Sequence, residues 1–445
     1  MGTVILTVLL LSTVVVSAVL TRALGQRVPL PLVQIALGSA LDLVHPVDMA
    51  LSPDTFFLLF LAPLLFLDGW RLPREGLFAD KGTIVSLAFG LVCLTVAGVG
   101  VFIHWLIPTF TMAGAFALAA ILSPTDTVAV TAMAARSPMP PRLMLILEGE
   151  SLLNDASGIV CFRFAIAASA TGTFSAAHAL GTFAWVAAIG LMVGAAVCLV
   201  ANAAKDWVAR SLGEEVGVQV LVSLIIPFVA YVVADALHAS GILAAVAAGI
   251  TMGVEERTGR ASALTRVRRR AVWDAVAFAG NGVIFVVLGQ QLPAIVSAAN
   301  RALGQAAKAE LWWLAVYVAA ICAVLTMIRA LWAWVALRVR QDPGHRWRGA
   351  FSAAELRIVG ITAVAGAKGA VTLAAAMAIP LQTGSGEPWR ARDLSIFLAA
   401  AVIVVSLVCA SLGLHLLTGY GKARDGRSSS PDGGGEGVLR HRGAR

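Results

Sequence analysis

The chain has 445 residues, 59% of them hydrophobic and only 13% charged, with a mean hydropathy of +0.86. The apolar share is too high and the charged share too low for an ordinary soluble domain, so a polytopic, all-α membrane protein is expected. The formal net charge of +8 would suggest nucleic acid in a soluble protein, but in a membrane protein basic residues collect in cytoplasmic loops, and nucleic-acid binding is set aside.

In chain order, the first segment, "TVILTVLLLSTVVVSAVL", lacks a basic leader and is long for a signal-peptide core, so it reads as a retained first helix. A crossing helix needs roughly 20 apolar residues. Such runs are placed thirteen times, at about 3–21, 29–43, 54–70, 83–106, 111–134, 146–170, 178–203, 216–237, 240–254, 273–291, 310–337, 357–380 and 393–418. Residues 1–418 therefore form one transmembrane domain. Residues 419–445, rich in Gly, Ser and charge, read as a disordered cytoplasmic tail.

Lys and Arg alternate from loop to loop as this count requires. Loops after odd-numbered spans hold Arg22 and Arg27; Arg71, Arg74 and Lys81; Arg136 and Arg142; Lys205 and Arg210; Arg257, Arg260 and Arg266 to Arg270; then Arg338, Arg340, Arg346, Arg348 and Arg357. The opposite loops hold Arg301, Lys308, Arg390 and Arg392. The expected sidedness is N-terminus outside, C-terminus cytoplasmic. The cluster from Arg266 to Arg270 is expected to contact anionic lipid headgroups. Cys93, Cys161, Cys198, Cys322 and Cys409 all lie in apolar runs without C-x-x-C spacing, so they read as packing residues.

Charges inside spans are costly and mark ion or proton pathways. In "ILSPTDTVAV", Pro124 removes an amide donor and obstructs the helix, which is expected to break there and free carbonyls near the membrane centre. Asp126 lies ten residues before Arg136, about 15 Å along a helix. Two readings stay open: an ion-binding carboxylate beside a broken helix, or a proline kink with Asp126 tied to a neighbour. In "LEGESLLNDASGIV", Ser151 and Asp155 are four apart, as are Glu150 and Asn154, giving two adjacent polar stripes on one helix. Two carboxylates in one low-dielectric cavity do not both stay ionised unless a cation joins them, so protons and a hard cation should compete. Oxygen ligands without clustered His and Cys argue against zinc or copper.

Depth also pairs Glu150 with Arg329, eight residues inside Arg142 and nine inside Arg338, as a structural ion pair. Lys368, between Gly366 and Gly369, suggests a second interrupted helix whose ammonium faces carbonyl ends or the carboxylates; snorkelling is the alternative. Asp68 reads equally as an interfacial residue or an ion-funnel carboxylate. Asp235, close to the outer end, reads as solvated and Arg163 as snorkelling, while His178 and His238, near outer span ends, do not read as proton carriers.

The segments "SPTDTVAV", "EGESLLNDAS" and "GAKGAVTLAAAMAIP", with "LAPLLFLDGW", "ASGILAAVAAG" and "GNGVIFVVLGQQLP" in the same order, resemble the NhaP/NHE-type monovalent cation:proton antiporters. The resemblance covers nearly the whole chain except the tail, and the Asn154-Asp155 pair is similar to the motif of the electroneutral branch. It implies thirteen helices in two inverted six-helix repeats joined by a seventh, with the fifth and twelfth broken and crossing. It also implies a homodimer in the plasma membrane. By the same resemblance Asp155 is the ion and proton carrier, with Asp126, Thr125 and Ser151 at the cation site, Asn154 a brace, Glu150 and Arg329 a salt bridge and Lys368 a supporting cation. Two positions depart: Asp126 is followed by Thr127 rather than proline, and Lys368 stands where arginine is usual. The expected function is exchange of Na+ or Li+, with K+ open, for H+ by alternating access, with no cofactor. A cation channel and a non-transporting sensor are the alternatives, and no catalytic constellation for an enzyme is found.

Overall fold

The computed structural model describes residues 2–25, 28–44, 53–71, 82, 86–126, 130–131, 141–171, 176–257, 262–306, 312–340, 352–380, 382, 389 and 391–425. Among them the secondary structure is helical, without strands. The helices are α1 (Gly2–Ala23), α2 (Leu30–Val44) and α3, which starts at Pro53–Phe56, passes through a π-helical turn at Phe57–Leu61 and continues as Ala62–Arg71. Next come α4 (a π-helical turn at Ser86–Leu91 leading into Val92–Leu106), α5 (Met112–Leu122), α6 (Pro141–Thr171) and α7 (Ala176–Leu212). Then follow α8 (Val216–Ala236), α9 (Gly241–Arg257), α10 (Ala263–Ala306) and α11 (Trp312–Arg340). The chain closes with α12 (Ala353–Val364), α13 (Ala370–Met377) and α14 (Arg392–Asp425).

Each expected span overlaps described helix, with α12 and α13 sharing the twelfth; residues 83–85 of the fourth and 127–129 and 132–134 of the fifth lie outside the described residues. Among the described residues, eight helices are long and apolar enough to cross a membrane: α1, α4, α6, α7, α8, α10, α11 and α14. Helix α14 runs to Asp425, so the first residues assigned to the tail are helical. Residues 426–445 lie outside the described residues, as do Arg27, Arg74, Lys81, Arg136, Arg260, Lys308, Arg346, Arg348 and Arg390, on which part of the expected sidedness rests.

Two bundles form. In one, α2 packs along α10 with α1 against both, and α9 packs between α3, α7 and α8. In the other, α4, α5 and α6 pack with α11, α13 and α14 around a core that includes Val99, Ile103, Leu118, Leu122, Ile321 and Leu398. Small residues let backbones approach closely where lipid provides no hydrophobic drive between helices. At Gly69 of α3, for example, a Cβ would stand only 2.7 Å from the Val246 carbonyl oxygen of α9. The bundles meet where Ile35 of α2 and Phe285 and Leu288 of α10 pack against Leu373, Ile403 and Leu407.

The basic stretch at the start of α10 corrects one expectation. Arg269 is 1% exposed, donates to Glu256 at 2.9 Å and stacks over Trp70, whose indole N–H donates to the other Glu256 oxygen at 2.6 Å. A buried guanidinium holding α3, α9 and α10 together cannot serve a lipid headgroup. Arg268 and Arg270 remain exposed. The five cysteines are free thiols; Cys198 is buried, Cys161 and Cys322 are partly buried, and Cys93 and Cys409 are exposed.

Candidate functional site

Two helix interruptions meet and satisfy one another. Pro124 has no N–H to continue α5, so the chain leaves the helix after Leu122 and runs unwound through Pro124, Thr125 and Asp126. Backbone groups freed away from water need partners. The second interruption, residues 365–369 between α12 and α13, supplies two of them. Lys368 Nζ donates to the Ser123 carbonyl at 3.1 Å, and the Asp126 amide donates to the Ala367 carbonyl at 2.8 Å. Helix α6 supplies a third, because Ser151 Oγ donates to the Thr125 carbonyl at 2.6 Å. In return, the Lys368 amide donates to Ser406 Oγ of α14 at 3.0 Å. Close approach also dictates small residues here. A Cβ on Gly369 would collide with the Asp126 carboxylate, and one on Gly158 of α6 would lie 2.5 Å from Pro124 Cγ.

The two stripes of α6 face different surroundings. Glu150 and Asn154 turn to an enclosed polar cage. Arg329 of α11 grips both Glu150 carboxylate oxygens, at 2.5 and 2.7 Å, and donates through Nε to the Thr362 carbonyl at 2.7 Å. Asn154 Nδ2 donates to Thr125 Oγ1 at 2.8 Å and reaches Glu150 Oε1 at 3.3 Å, while Thr125 Oγ1 donates to the same oxygen at 3.5 Å. Glu150, Asn154, Arg329, Lys368 and Ser123 surround a void of about 20 Å³, space for a single water.

Ser151 and Asp155 turn to a much larger cavity of about 490 Å³, shared with Thr125 and Asp126. At roughly 30 Å³ per water it holds a hydrated ion with solvent to spare. Asp155 is 7% exposed, and its Oδ1 is enclosed without a hydrogen-bond partner in the protein. An unpaired buried carboxylate oxygen is expensive unless a proton or cation joins it, which makes Asp155 the candidate to take either. Thr125, Asp126 and Ser151 beside it in the cavity offer oxygen ligands, which suit a hard ion.

The geometry thus brings Asp155, Asp126, Thr125 and Ser151 to one cavity, and Asn154, Glu150, Arg329 and Lys368 to the cage behind it. Asp68, left open between two readings, lines the cavity through an exposed side chain on α3. Glu148, to which sequence reasoning assigned no role, lines it too. A signal was present: positions 148, 151 and 155 follow the i, i+3, i+7 spacing of one helix face. Asp235, Arg163 and His238 are exposed and stand apart from the site. Both π-helical turns adjoin it. One precedes the cavity-lining Leu64, Leu65 and Asp68; the other supplies Leu87 and Leu91 to the cage. Such turns re-aim the residues that follow them.

Comparison with known proteins identifies the family. The sodium/hydrogen exchanger transmembrane family model matches residues 8–418. A Bacillus pumilus protein named as a sodium, potassium, lithium and rubidium/H+ antiporter is 38% identical over 93% of the chain, and its Bacillus subtilis counterpart is 37% identical over the same share. The chain spans 61% of the length of each of these relatives. An Escherichia coli Na+/H+ exchanger described as uncharacterized, YjcE, is 36% identical over 92% of the chain and 75% of its own length. Among solved structures, the sodium proton antiporter MjNhaP1 of Methanocaldococcus jannaschii shares the fold with a TM-score of 0.64 at 17% identity, covering 94% of this chain and 98% of its own. With its all-helical fold, its two interruptions that meet and a family match over nearly its whole length, the chain belongs to the sodium/hydrogen exchanger family, a family of multi-pass membrane transporters rather than enzymes.

Proposed function

We propose that the protein exchanges a monovalent cation, Na+ or Li+ with K+ also accommodated, for H+ by alternating access, with Asp155 as the shared carrier. One observation carries the reading: Asp155, whose Oδ1 the protein leaves without a partner, stands in one cavity with Asp126, Thr125 and Ser151 where two unwound segments meet. A cation and a proton exclude each other from that carboxylate, and exclusion couples their fluxes. Asp126, Thr125 and Ser151 supply further oxygens for the cation. Asn154, Lys368, Glu150 and Arg329 hold the unwound segments in place.

Charge counting supports one-for-one exchange. Glu150 and Arg329 cancel, and an ammonium at Lys368 offsets one of the two carboxylates. One cation or one proton then occupies the same carboxylate, so both loaded states carry the same charge and the exchange is electroneutral. The alkali cations in the Bacillus relatives' names are hard ions, which oxygen ligands suit.

The interruptions fall in the fifth and twelfth expected spans, seven apart, as two inverted six-span repeats joined by a seventh require. The cavity includes Leu30, Arg71 and Thr131, on the side where basic residues gather, which makes it the cytoplasmic funnel of an inward-open state. The assembly is a homodimer in the plasma membrane, with the start of α1 outside and the end of α14 in the cytoplasm. It serves pH and sodium homeostasis.

Inside-out vesicles with a pH-sensitive dye test this reading. Pulses of sodium, lithium or potassium chloride should alkalinise the lumen for the parent and not for Asp155→Asn. A parent protein that inserts but moves no protons, or a variant as active as the parent, overturns it.

A further inference from the structure

A second large cavity, of about 580 Å³, lies between α11, α12 and α14 and borders the second interruption through Gly366 and Lys368. Its chemistry is unlike that of the cavity around Asp155. Arg329 reaches it, yet its guanidinium is committed to Glu150 and the Thr362 carbonyl, and Lys368 Nζ donates to the Ser123 carbonyl. Ser406 Oγ accepts the Lys368 amide and donates to the Ile403 carbonyl at 2.9 Å, and Thr326 Oγ1 donates to the Cys322 carbonyl at 2.8 Å. Each hydroxyl and each charged side chain of the lining thus has a partner within the protein. The remaining lining is aliphatic, with the thiols of Cys322 and Cys409 and the thioether of Met327. A cavity that presents no unsatisfied polar group stays dry and takes apolar ligands.

Its mouth faces the membrane. Helices α11 and α14 are both long and apolar enough to cross a bilayer, and Ala323, Thr326 and Met327 on the first and Cys409 on the second are lining residues that are also exposed. Met327 is 62% exposed and stands eleven residues before Arg338, about 16 Å from that basic end along the helix, near the middle of a hydrocarbon layer about 30 Å thick. The exposed apolar surface continues past the mouth through Leu331 and Leu412.

We infer that this groove binds one hydrocarbon chain of a membrane lipid, seated against Val364 and Gly366 at the second interruption. The room comes from small side chains: Ala319, Ala323 and Ala330 leave α11 low where larger residues would close the gap. Along α11 the lining runs from Ala319 to Ala330, about 16 Å, close to the depth of one lipid leaflet. A chain lying there gains dispersion contacts on several sides, which a lipid on a convex helix face does not. Residues 426–445, rich in Gly, Ser and charge, have no such chain to offer. Membrane-crossing helices are all the site requires, so it stands apart from the antiport reading. Its consequence is that lipid, rather than a further helix, backs the unwound segment that carries Lys368.

A phospholipid with a diazirine on one acyl chain tests this in the full-length chain. The protein is reconstituted with it, extracted, washed with detergent to strip loosely held lipid, illuminated and digested. Peptides covering residues 319–330 and 402–409 should keep the label, while α7, whose Leu199 and Val200 are also exposed, should lose it. Ala323→Phe and Cys409→Phe bring a ring into the groove from opposite walls. Each should abolish the groove label, with vesicle exchange holding within about twofold of the parent because the ring replaces the lost hydrocarbon. Label spread evenly over α7 and the groove, or undiminished in both filled variants, would mean ordinary lipid contact and overturn the site. So would cross-linking of Cys409 between two copies of the chain with the groove unlabelled, or modification of Cys322 by a charged, water-soluble maleimide, which would show a protein interface or an aqueous crevice.

Discussion

Helix α6 presents two stripes one residue apart, and they meet opposite fates. Glu150 and Asn154 are enclosed among partners: both Glu150 oxygens rest on Arg329, and Asn154 braces Thr125. Ser151 and Asp155 border a wet cavity, and Asp155 keeps an oxygen that the protein leaves unpartnered. One helix thus carries a carboxylate whose charge the protein settles and another whose charge it leaves for an ion to settle. On the proposed reading, the first builds the site and the second is the site. Burying a charge with its counter-charge adds definition to a structure, whereas leaving one without makes the structure responsive to what binds.

This contrast is open to direct attack. Asp155→Asn should abolish cation-dependent proton movement while leaving the unfolding temperature at or above that of the parent without added salt, because it removes an unpaired buried charge. Arg329→Met should do the reverse and act first on stability, by about 3–5 kcal/mol, since it strands the Glu150 carboxylate. Denaturant unfolding in detergent measures that loss, and a Glu150→Leu, Arg329→Met double variant should recover most of it. Gly158→Ala places a methyl group against Pro124 and should cost about 1–3 kcal/mol, with reduced exchange because the first unwound segment is pushed from its place. Asn154→Ala, which removes one hydrogen bond to Thr125, should cost about 1 kcal/mol in the same unfolding experiment.

Much of this contrast was legible beforehand, because depth and helical phase are linear functions of sequence. Counting residues from the basic helix ends placed Glu150 level with Arg329, and the four-residue spacing separated the two stripes. Pro124, and the glycines around Lys368, announced the interruptions. What escaped depends on three-dimensional neighbours. Arg269 sits in a basic run and looked lipid-facing, yet Glu256 and Trp70 enclose it. Hydropathy also understated helix length. The expected tenth span covered 273–291, whereas α10 extends over Ala263–Ala306, since hydropathy reports immersion in lipid and a helix continues into water with charged residues on its turns. The π-helical turns at Phe57–Leu61 and Ser86–Leu91 carry no signature in their apolar residues, so the phase shift that brings Asp68 to the cavity was invisible.

The bonds across the two interruptions also bear on how the protein is made. The Ser123 carbonyl and the Asp126 amide find their partners in Lys368 and Ala367, more than half the chain away. A growing chain that has inserted α5 and α6 therefore holds unpaired backbone groups in its interior until α12 and α13 arrive. Local water or provisional contacts must shelter them through the synthesis of α7 to α11. The proposed ion site is consequently among the last features to be completed during biogenesis, and a chain arrested before Ala367 would hold its carboxylates without the scaffold that positions them.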